Sequence, residues 1–345
     1  MISIVIVNFN GGIKVVKSVR SVLAQAHRDY ELIVVDNGST DNSKDEIIQK
    51  FSGKIKLIEL KKNFGFTKGC NLGISESKGE YIMFLNNDAY LSGKNFLVIA
   101  ENILKKSKNN ICGIFPKVFF NWEKNVLNST YAIWHKDILW FDEHIGSVDP
   151  ELLSLDDQQK EVFGAMFIAP IFKKSILESS GGFDEMLFTY GEDFDLSYRM
   201  NIYGYKFLYT PLIKVYHDYR SSSLDEIQPL WSYFYFLRNY LIVILKNYEL
   251  KNIIGKFSSY TYHFRVALKH SIKFKEWRKM LLMLKILISL LFLAPLIIKK
   301  RLEIQRKRKF NDVKIWSNEF VINYNPNFYN SHIVLNSGNV TKIRK

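Results

Sequence analysis

Over the first 120 residues, short Ile- and Val-rich runs alternate with segments of helical periodicity, and few folds accept that order. Ile2–Phe9, Glu31–Asp36, Lys54–Leu60 and Glu80–Leu85 read as strands, with Lys14–Ala26, Asp41–Phe51 and Thr67–Ser77 as the helices between them. Runs that are apolar throughout need cover on both faces. The alternation therefore predicts βαβ units, an α/β fold and a mainly parallel sheet. Gly38-Ser39-Thr40-Asp41-Asn42 supplies turn and helix-cap chemistry after the second strand. Farther on, Val162–Pro170, Tyr205–Thr210 and Ile213–His217 read as strands and Leu196–Ile202 as a helix. Asn121–Lys160, broken into aromatics, acids and turns, reads as an excursion over the active face.

In open α/β sheets, ligands bind outside the carboxyl ends of the strands. Here four such ends are polar: Asn8-Phe9-Asn10, Asp36-Asn37, Lys61-Lys62-Asn63 and Asn86-Asn87-Asp88. Each alone is equally a turn, since Asn and Asp favour turns. Four on one edge point to a site. Neither Gly-x-Gly-x-x-Gly after the first strand nor a P-loop pattern occurs, which removes most of the case for a dinucleotide dehydrogenase or a P-loop NTPase.

Asp88 ends an apolar run, where a carboxylate can bind a hard divalent cation or cap a helix. Glu192, Asp193 and Asp195 concentrate three carboxylates in four residues. They suit the start of a helix, whose dipole they complement. The aromatics before them would also desolvate a carboxyl and raise it toward a useful base. His217 closes a strand, as a structural residue or a ligand.

Together these motifs resemble family 2 glycosyltransferases. The resemblance runs through Ser3-Ile-Val-Ile-Val-Asn-Phe-Asn10, Glu31-Leu-Ile-Val-Val-Asp-Asn-Gly-Ser-Thr-Asp41, Asn63-Phe-Gly65, Gly69-Cys-Asn71-Leu-Gly73 and Phe84-Leu-Asn-Asn-Asp88. It continues in Tyr190-Gly-Glu-Asp193, Asp195-Leu-Ser-Tyr-Arg199 and His217, and covers about residues 2–222. Rhamnosyltransferase-like and galactofuranosyltransferase-like members look most similar. The resemblance implies a GT-A fold, a nucleotide-diphosphate-sugar donor and inversion at the anomeric carbon. It implies Asp36 at the nucleobase and donor contacts from Asn8, Asn10, Asn63, Gly65, Asn71, Asn86 and Asn87. Asp88 and His217 become ligands to Mg²⁺ or Mn²⁺, and Asp193 the general base, with Glu192 and Asp195 as supporting acids. The first Asp of the family's Asp-x-Asp pattern is Asn86 here, one charge fewer.

Charge is divided unevenly. From Trp231 onward there are 22 Lys+Arg and 5 Asp+Glu, against 26 and 29 before it. Met280–Ile298 holds 19 residues with the single charge Lys285, followed by Lys299-Lys-Arg301 and Arg306-Lys-Arg-Lys309. As a helix that stretch is about 28 Å long. Apolar mass beside basic clusters predicts helices lying on an anionic membrane face, with a single span or a soluble cap as alternatives. Large aliphatic blocks between the basic residues speak against nucleic acid. The N-terminus lacks a basic leader and a long apolar run, so a cytoplasmic enzyme, peripheral at the inner face of the membrane, is expected. Cys70 and Cys112 alone make no disulfide framework or zinc site.

The expectation is thus a glycosyltransferase domain over 1–225 and a basic helical region over 226–345, acting on a glycan or lipid-linked glycan, with an oligomer left open. Its rivals are a polyprenyl-phosphate glycosyltransferase and a catalytically silent glycan-binding relative.

Overall fold

A computed structural model of the chain describes residues 1–135, 140–142, 144–148, 158–218, 230–255, 257–317 and 321–322. The chain divides into two compact units: Met1–Ala132, Asp142–Phe188 and Tyr205–Tyr219 form one, and Ile133–Phe141, Thr189–Gly204 and Arg220–Lys345 the other.

The first unit is built on a mixed sheet. Its strands in chain order are β1 (Ile2–Asn8), β2 (Tyr30–Asp36), β3 (Lys56–Glu59), β4 (Tyr81–Phe84), β5 (Ala89–Leu91), β6 (Ile111–Phe120) and β7 (Leu127–Ser129). After β8 (Ala132–His135) and β9 (Trp140–Asp142) come β10 (Lys160–Val162), β11 (Ile171–Lys173) and β12 (Lys206–His217). The main path runs β10-β12-β6-β11-β4-β1-β2-β3, with β5 beside β12 and β7 beside β6. β4, β1, β2 and β3 pair in parallel, as the alternating pattern predicts. The helix Gly12–Leu23 shows why the pattern is binding. Its buried Val15, Val16, Val19 and Val22 recur at helical spacing and meet Ile4, Ile6 and Val34 of the sheet. Register then sets the edge, pairing Asn8 with Asp36 across β1 and β2.

Two sequence expectations change. Val162–Pro170 is not one strand: β10 ends at Val162, β11 begins at Ile171, and the segment between is irregular though largely buried. Pro170 offers no N–H to a ladder, so pairing stops around it. Conversely, the two strands expected around Pro211 are the single strand β12, whose pairing with β6 shifts register between Thr210 and Lys214. A bulge accommodates the proline without ending the strand.

The second unit is mainly helical. The 18-residue helix Leu230–Asn247 packs on the 31-residue helix Trp277–Lys307, where Leu237 meets Met283 and Ile286. Arg301 of the long helix donates to the carbonyls of Leu245 (2.6 Å) and Tyr248 (2.7 Å), and Gln305 to those of Lys246 and Asn247 (both 3.1 Å). Arg308 bonds the Asn247 carbonyl and lies 2.9 Å from Asp312. These are the C-terminal carbonyls that a helix cannot satisfy internally. Arg301 and Arg308, grouped above with the membrane-facing clusters, are thus engaged inside the protein. The short strand β13 (Val321–Ile322) pairs with β8. Parts of the Asn121–Lys160 excursion lie outside the described residues.

Candidate functional site

The carboxyl ends of β1, β2 and β4 meet in one buried polar network. Asn8, fully buried, donates from Nδ2 to Asp36 Oδ1 (2.9 Å), Ser39 Oγ (3.1 Å) and Ser43 Oγ (2.9 Å). Asn87 Nδ2 donates to Asn8 Oδ1 at 3.3 Å. Asp36 is fixed further by the Ser39 N–H at 3.1 Å, so its carboxylate is aimed before any ligand arrives. Asn10, in a left-handed conformation (φ 51°), accepts the Thr40 N–H at 2.8 Å, while its own N–H donates to Ser39 Oγ at 3.0 Å. The turn after β2 is thereby tied to the turn after β1.

Asn63 joins the same edge. Its Oδ1 accepts from Asn37 Nδ2 (3.1 Å) and from the Gly65 N–H (2.8 Å). Gly65 has φ 93°, and a Cβ there would lie 2.6 Å from the Phe188 ring, so only glycine fits. Asn71 is placed differently. Its amide donates to the Phe183 carbonyl (2.9 Å) and Glu185 (3.1 Å), and its Oδ1 accepts the Phe183 N–H (2.9 Å), holding a loop.

Asp88 follows Asn86 and Asn87 in the turn into β5 and caps no helix. The backbone of Asn86 is held by Ser18 Oγ (3.2 Å) and by the Ile168 carbonyl (3.0 Å). Asp88 Oδ1 lies 3.1 Å from His217 Nε2, two groups 129 residues apart brought together by the pairing of β5 with β12. The other ring nitrogen of His217, Nδ1, is 2.7 Å from Asn128 Oδ1. An amide oxygen only accepts, so Nδ1 carries a proton; a carboxylate likewise only accepts, so Nε2 faces Asp88 with the N–H whose place a bound cation would take. Imidazole and carboxylate converging this way, with the ring oriented from behind, fit a divalent cation. Burial would raise the Asp88 carboxyl, but His217 and Lys14 outweigh it and hold it below the usual carboxylate range. Beside them, Asp218 accepts from Asn121 Nδ2 (2.7 Å) and from the Tyr90 hydroxyl.

Among the described residues, one group of three potential ligands forms: His27, Asp29 and Glu101. It lies at the opposite, amino-terminal edge of the strands. There the Met1 ammonium sits 2.9 Å from Asp29 and 3.2 Å from Glu101, with Lys105 3.1 Å from Glu101. Three carboxylate–cation contacts already balance it.

In the second unit, Glu192 and Asp193 open the helix Glu192–Ile202. Both are half-buried, and burial pushes their carboxyls above the ordinary range, with the Asp193 charge adding to the effect on Glu192. Asp193 Oδ1 accepts the Phe194 N–H at 2.9 Å, while Glu192 Oε2 is buried with no hydrogen-bond partner among the described residues. Asp195 behaves oppositely. It is fully buried and bonded by Arg199 Nε, Lys246 Nζ and Asn247 Nδ2, each at 2.9 Å. Burial would raise it, yet Arg199 and Lys246 hold it well below the usual range. One carboxylate is locked as an anion two positions from a pair that burial pushes toward the neutral form.

Sequence reasoning missed Asn128, since an isolated Asn carries no spacing signal. It missed the roles of Ser39, which read as a turn residue, and of Ser43, which read as part of a helix.

A family model, glycosyl transferase family 2, matches residues 3–179. The chain is 26% identical over 198 residues to glycosyltransferase GlyG of Streptococcus pneumoniae, covering 56% of this chain and 62% of that protein. It is 29% identical over 231 residues to the poly(ribitol-phosphate) beta-N-acetylglucosaminyltransferase TarP of Staphylococcus aureus, covering 64% of each. The chain therefore spans less than two thirds of the length of either relative. Among solved structures it is similar to GalNAc-T7 with UDP, GalNAc and Mn²⁺, with a TM-score of 0.55, 20% identity, and coverage of 71% of this chain and 48% of that one. That likeness concerns the fold, a GT-A arrangement of mixed sheet and helices with a helical C-terminal region.

Proposed function

Since this chain belongs to glycosyl transferase family 2, we propose that it moves a sugar from a nucleotide-diphosphate-sugar to a hydroxyl of a polysaccharide or oligosaccharide acceptor, with inversion. The observation that carries this reading is the convergence of Asn8, Asp36, Asn87, Asp88 and His217 at the carboxyl ends of β1, β2, β4 and β12. That edge is where an α/β sheet binds nucleotides. Asp36, aimed by Asn8 and Ser39, suits a donor N–H of a nucleobase. Asn10 and the Asn63–Gly65 turn line the same edge for the ribose and diphosphate.

A divalent cation, Mg²⁺ or Mn²⁺, held by Asp88 and His217 would neutralise charge on the departing diphosphate. Asn128 orients the His217 ring for that task. Asp193 takes the proton of the attacking acceptor hydroxyl. Its raised carboxyl is a stronger base than an ordinary one, and help of this kind is worth roughly 10²–10⁴-fold. Glu192 beside it can share the proton, and Asp195, kept ionised by Arg199 and Lys246, anchors the helix that carries them. A single displacement with no covalent enzyme intermediate inverts the anomeric centre.

Finer features follow the same reading: a rhamnosyltransferase-like or galactofuranosyltransferase-like member, a lipid-linked acceptor, and attachment to the cytoplasmic face of a membrane. Supporting the last, Trp277–Lys307 is, among the described residues, the one helix long and apolar enough to cross a bilayer. One face packs on Leu230–Asn247, while Leu291 and Phe292 on the other are 74% and 83% exposed. An apolar outer face between basic ends suits the interface of an anionic bilayer. Residues 1–225 then hold the donor and acid residues, and 226–345 the attachment.

The test is a panel of UDP-N-acetylglucosamine, UDP-N-acetylgalactosamine, UDP-glucose, UDP-galactofuranose and dTDP-rhamnose with a glycan and with polyprenyl phosphate, read by mass spectrometry. Glycan products that disappear in Asp193→Asn support the proposal. Products only on polyprenyl phosphate, or none with any donor, overturn it.

A further inference from the structure

The backbone leading into Glu192 and Asp193 is unusual. Phe188 (φ 64°), Tyr190 (φ 65°) and Gly191 (φ 86°) are all left-handed, two of them with side chains that disfavour it. Such conformations persist only where the surroundings over-determine them. What determines this one comes from the helix Leu230–Asn247. Asn239, fully buried, donates from Nδ2 to the Thr189 carbonyl at 2.8 Å and to the Tyr190 carbonyl at 2.6 Å. An amide carries two N–H groups, one for each carbonyl. Its Oδ1 accepts from Arg238 Nε (3.0 Å) and Nη2 (2.8 Å), and that guanidinium lies over the rings of Phe234 and Tyr235. The amide is therefore fixed in orientation and cannot turn its acceptor toward the two carbonyls.

Seven residues on, two turns along the same helix face, Lys246 and Asn247 bond Asp195. One helix face thus grips the acidic segment on both sides of the Glu192–Asp193 pair, at residues 189–190 and at 195. Gly191 completes the fit: a Cβ there would lie 3.4 Å from Asn239 Cβ in a conformation that side chains rarely adopt. All of these helix residues lie beyond the part of the chain matched to the family.

We propose that Asn239 is the positioning residue of the base: by holding the Thr189 and Tyr190 carbonyls it sets the left-handed turn that aims the Asp193 carboxylate and keeps it desolvated. This rests on the reading of Asp193 as general base. The C-terminal helices then take part in turnover as well as in attachment.

Asn239→Asp keeps the shape and the acceptor for Arg238 but replaces the N–H groups with an oxygen facing two carbonyl oxygens. Asn239→Ser removes both N–H groups with a small cavity and no charge, and serves if the first variant melts early. Both go into the full chain, with the panel's active nucleotide-sugar as donor and UDP with Mn²⁺ as the binding probe. A displacement of about 1 Å can slow chemistry about 10²-fold. The expected result is a fall of that order in kcat, with acceptor KM and UDP affinity within about three-fold. The acidic limb of the pH–rate profile should also move to lower pH, because a loosened turn rehydrates the carboxyls and returns them toward ordinary values. Hydrogen exchange of amides 189–195 should quicken. Folded variants with kcat within three-fold of the parent and an unmoved limb overturn the positioning role, provided Asp193→Asn abolishes transfer. If Asp193→Asn retains transfer, the base assignment fails and this inference goes with it.

Discussion

Asp195→Asn is the perturbation whose size follows most directly from the geometry. The carboxylate is fully buried with bonds of 2.9 Å from Arg199, Lys246 and Asn247, and Lys246 is itself fully buried. An amide of the same shape leaves two buried cations beside a neutral group. Removing one partner of such a set costs about 3–5 kcal/mol, chiefly because the remaining charge stays desolvated. In a body of this size, 1 kcal/mol moves Tm by about 2–4 °C, so the variant should melt about 6–20 °C lower at pH 7. The sign with pH is fixed. Arg199 and Lys246 depress Asp195 in the folded protein, so its stabilisation is complete above the unfolded value near pH 4 and fades as pH falls toward the lower folded one. The gap between parent and variant should therefore shrink below about pH 4. Salt should change it little, since buried pairs are poorly screened. Adding Lys246→Met to the variant should recover part of the loss by removing an uncompensated charge, a non-additivity that surface pairs do not show. Melts followed by far-UV circular dichroism decide it. A variant melting within about 2 °C of the parent at pH 7, or a double variant worse than the sum of the singles, refutes the reasoning.

Asp193→Asn should lower transfer at least about 10²-fold while UDP binding persists; transfer within a few-fold of the parent removes Asp193 from the role. In the parent, burial raises the Asp193 and Glu192 carboxyls, so transfer should already decline as pH falls through a range where an ordinary carboxylate near 4 stays ionised. Asp88→Ala and His217→Ala should each abolish Mn²⁺ binding measured by electron paramagnetic resonance, and together add nothing further. Asn128→Leu, which removes the Asn128 contact to Nδ1, should weaken that binding about 10–100-fold, and unchanged affinity would exclude that orienting role. Replacing Lys299, Lys300, Arg306 and Lys307 with Gln, leaving Arg301 and Arg308 to their internal partners, should weaken sedimentation with anionic liposomes by about 1 kcal/mol per charge. The remainder should be insensitive to salt, and an intact chain that stays in the supernatant at low salt rules out membrane attachment.

The half of the sheet built from β1 to β4 is legible because each strand is a continuous apolar run and each connection an amphipathic helix, so one pattern reports both burial and order. The polar ends follow from it: once Ile2–Asn8 and Tyr30–Asp36 are parallel neighbours, Asn8 and Asp36 must meet. Where a local signal contradicts the fold, reading fails. Pro211 suggests a break, yet a bulge carries β12 past it to deliver His217. Asn71 carries the family motif, but its amide serves the Phe183 loop. Arg301 and Arg308 share their composition with the neighbouring lysines, and only packing shows that they close a helix end. Asn239 is one Asn among many, identified only by the two carbonyls that it holds.

The late position of β12 also has a consequence for synthesis. β6 is buried along its whole length with Lys117 as its one charged residue, and its long parallel neighbour is β12, more than eighty residues downstream. While residues 206–217 are still within the ribosome, that edge of β6 is an apolar, unpaired template of the kind that recruits other chains. The Asp88–His217 pair cannot exist before β12 docks, because both its long-range partner strands meet there. On the proposed reading of Asp88 and His217 as cation ligands, cation capture by a nascent chain would time the closing of the sheet, silent through the first two hundred residues and switched on when β12 docks.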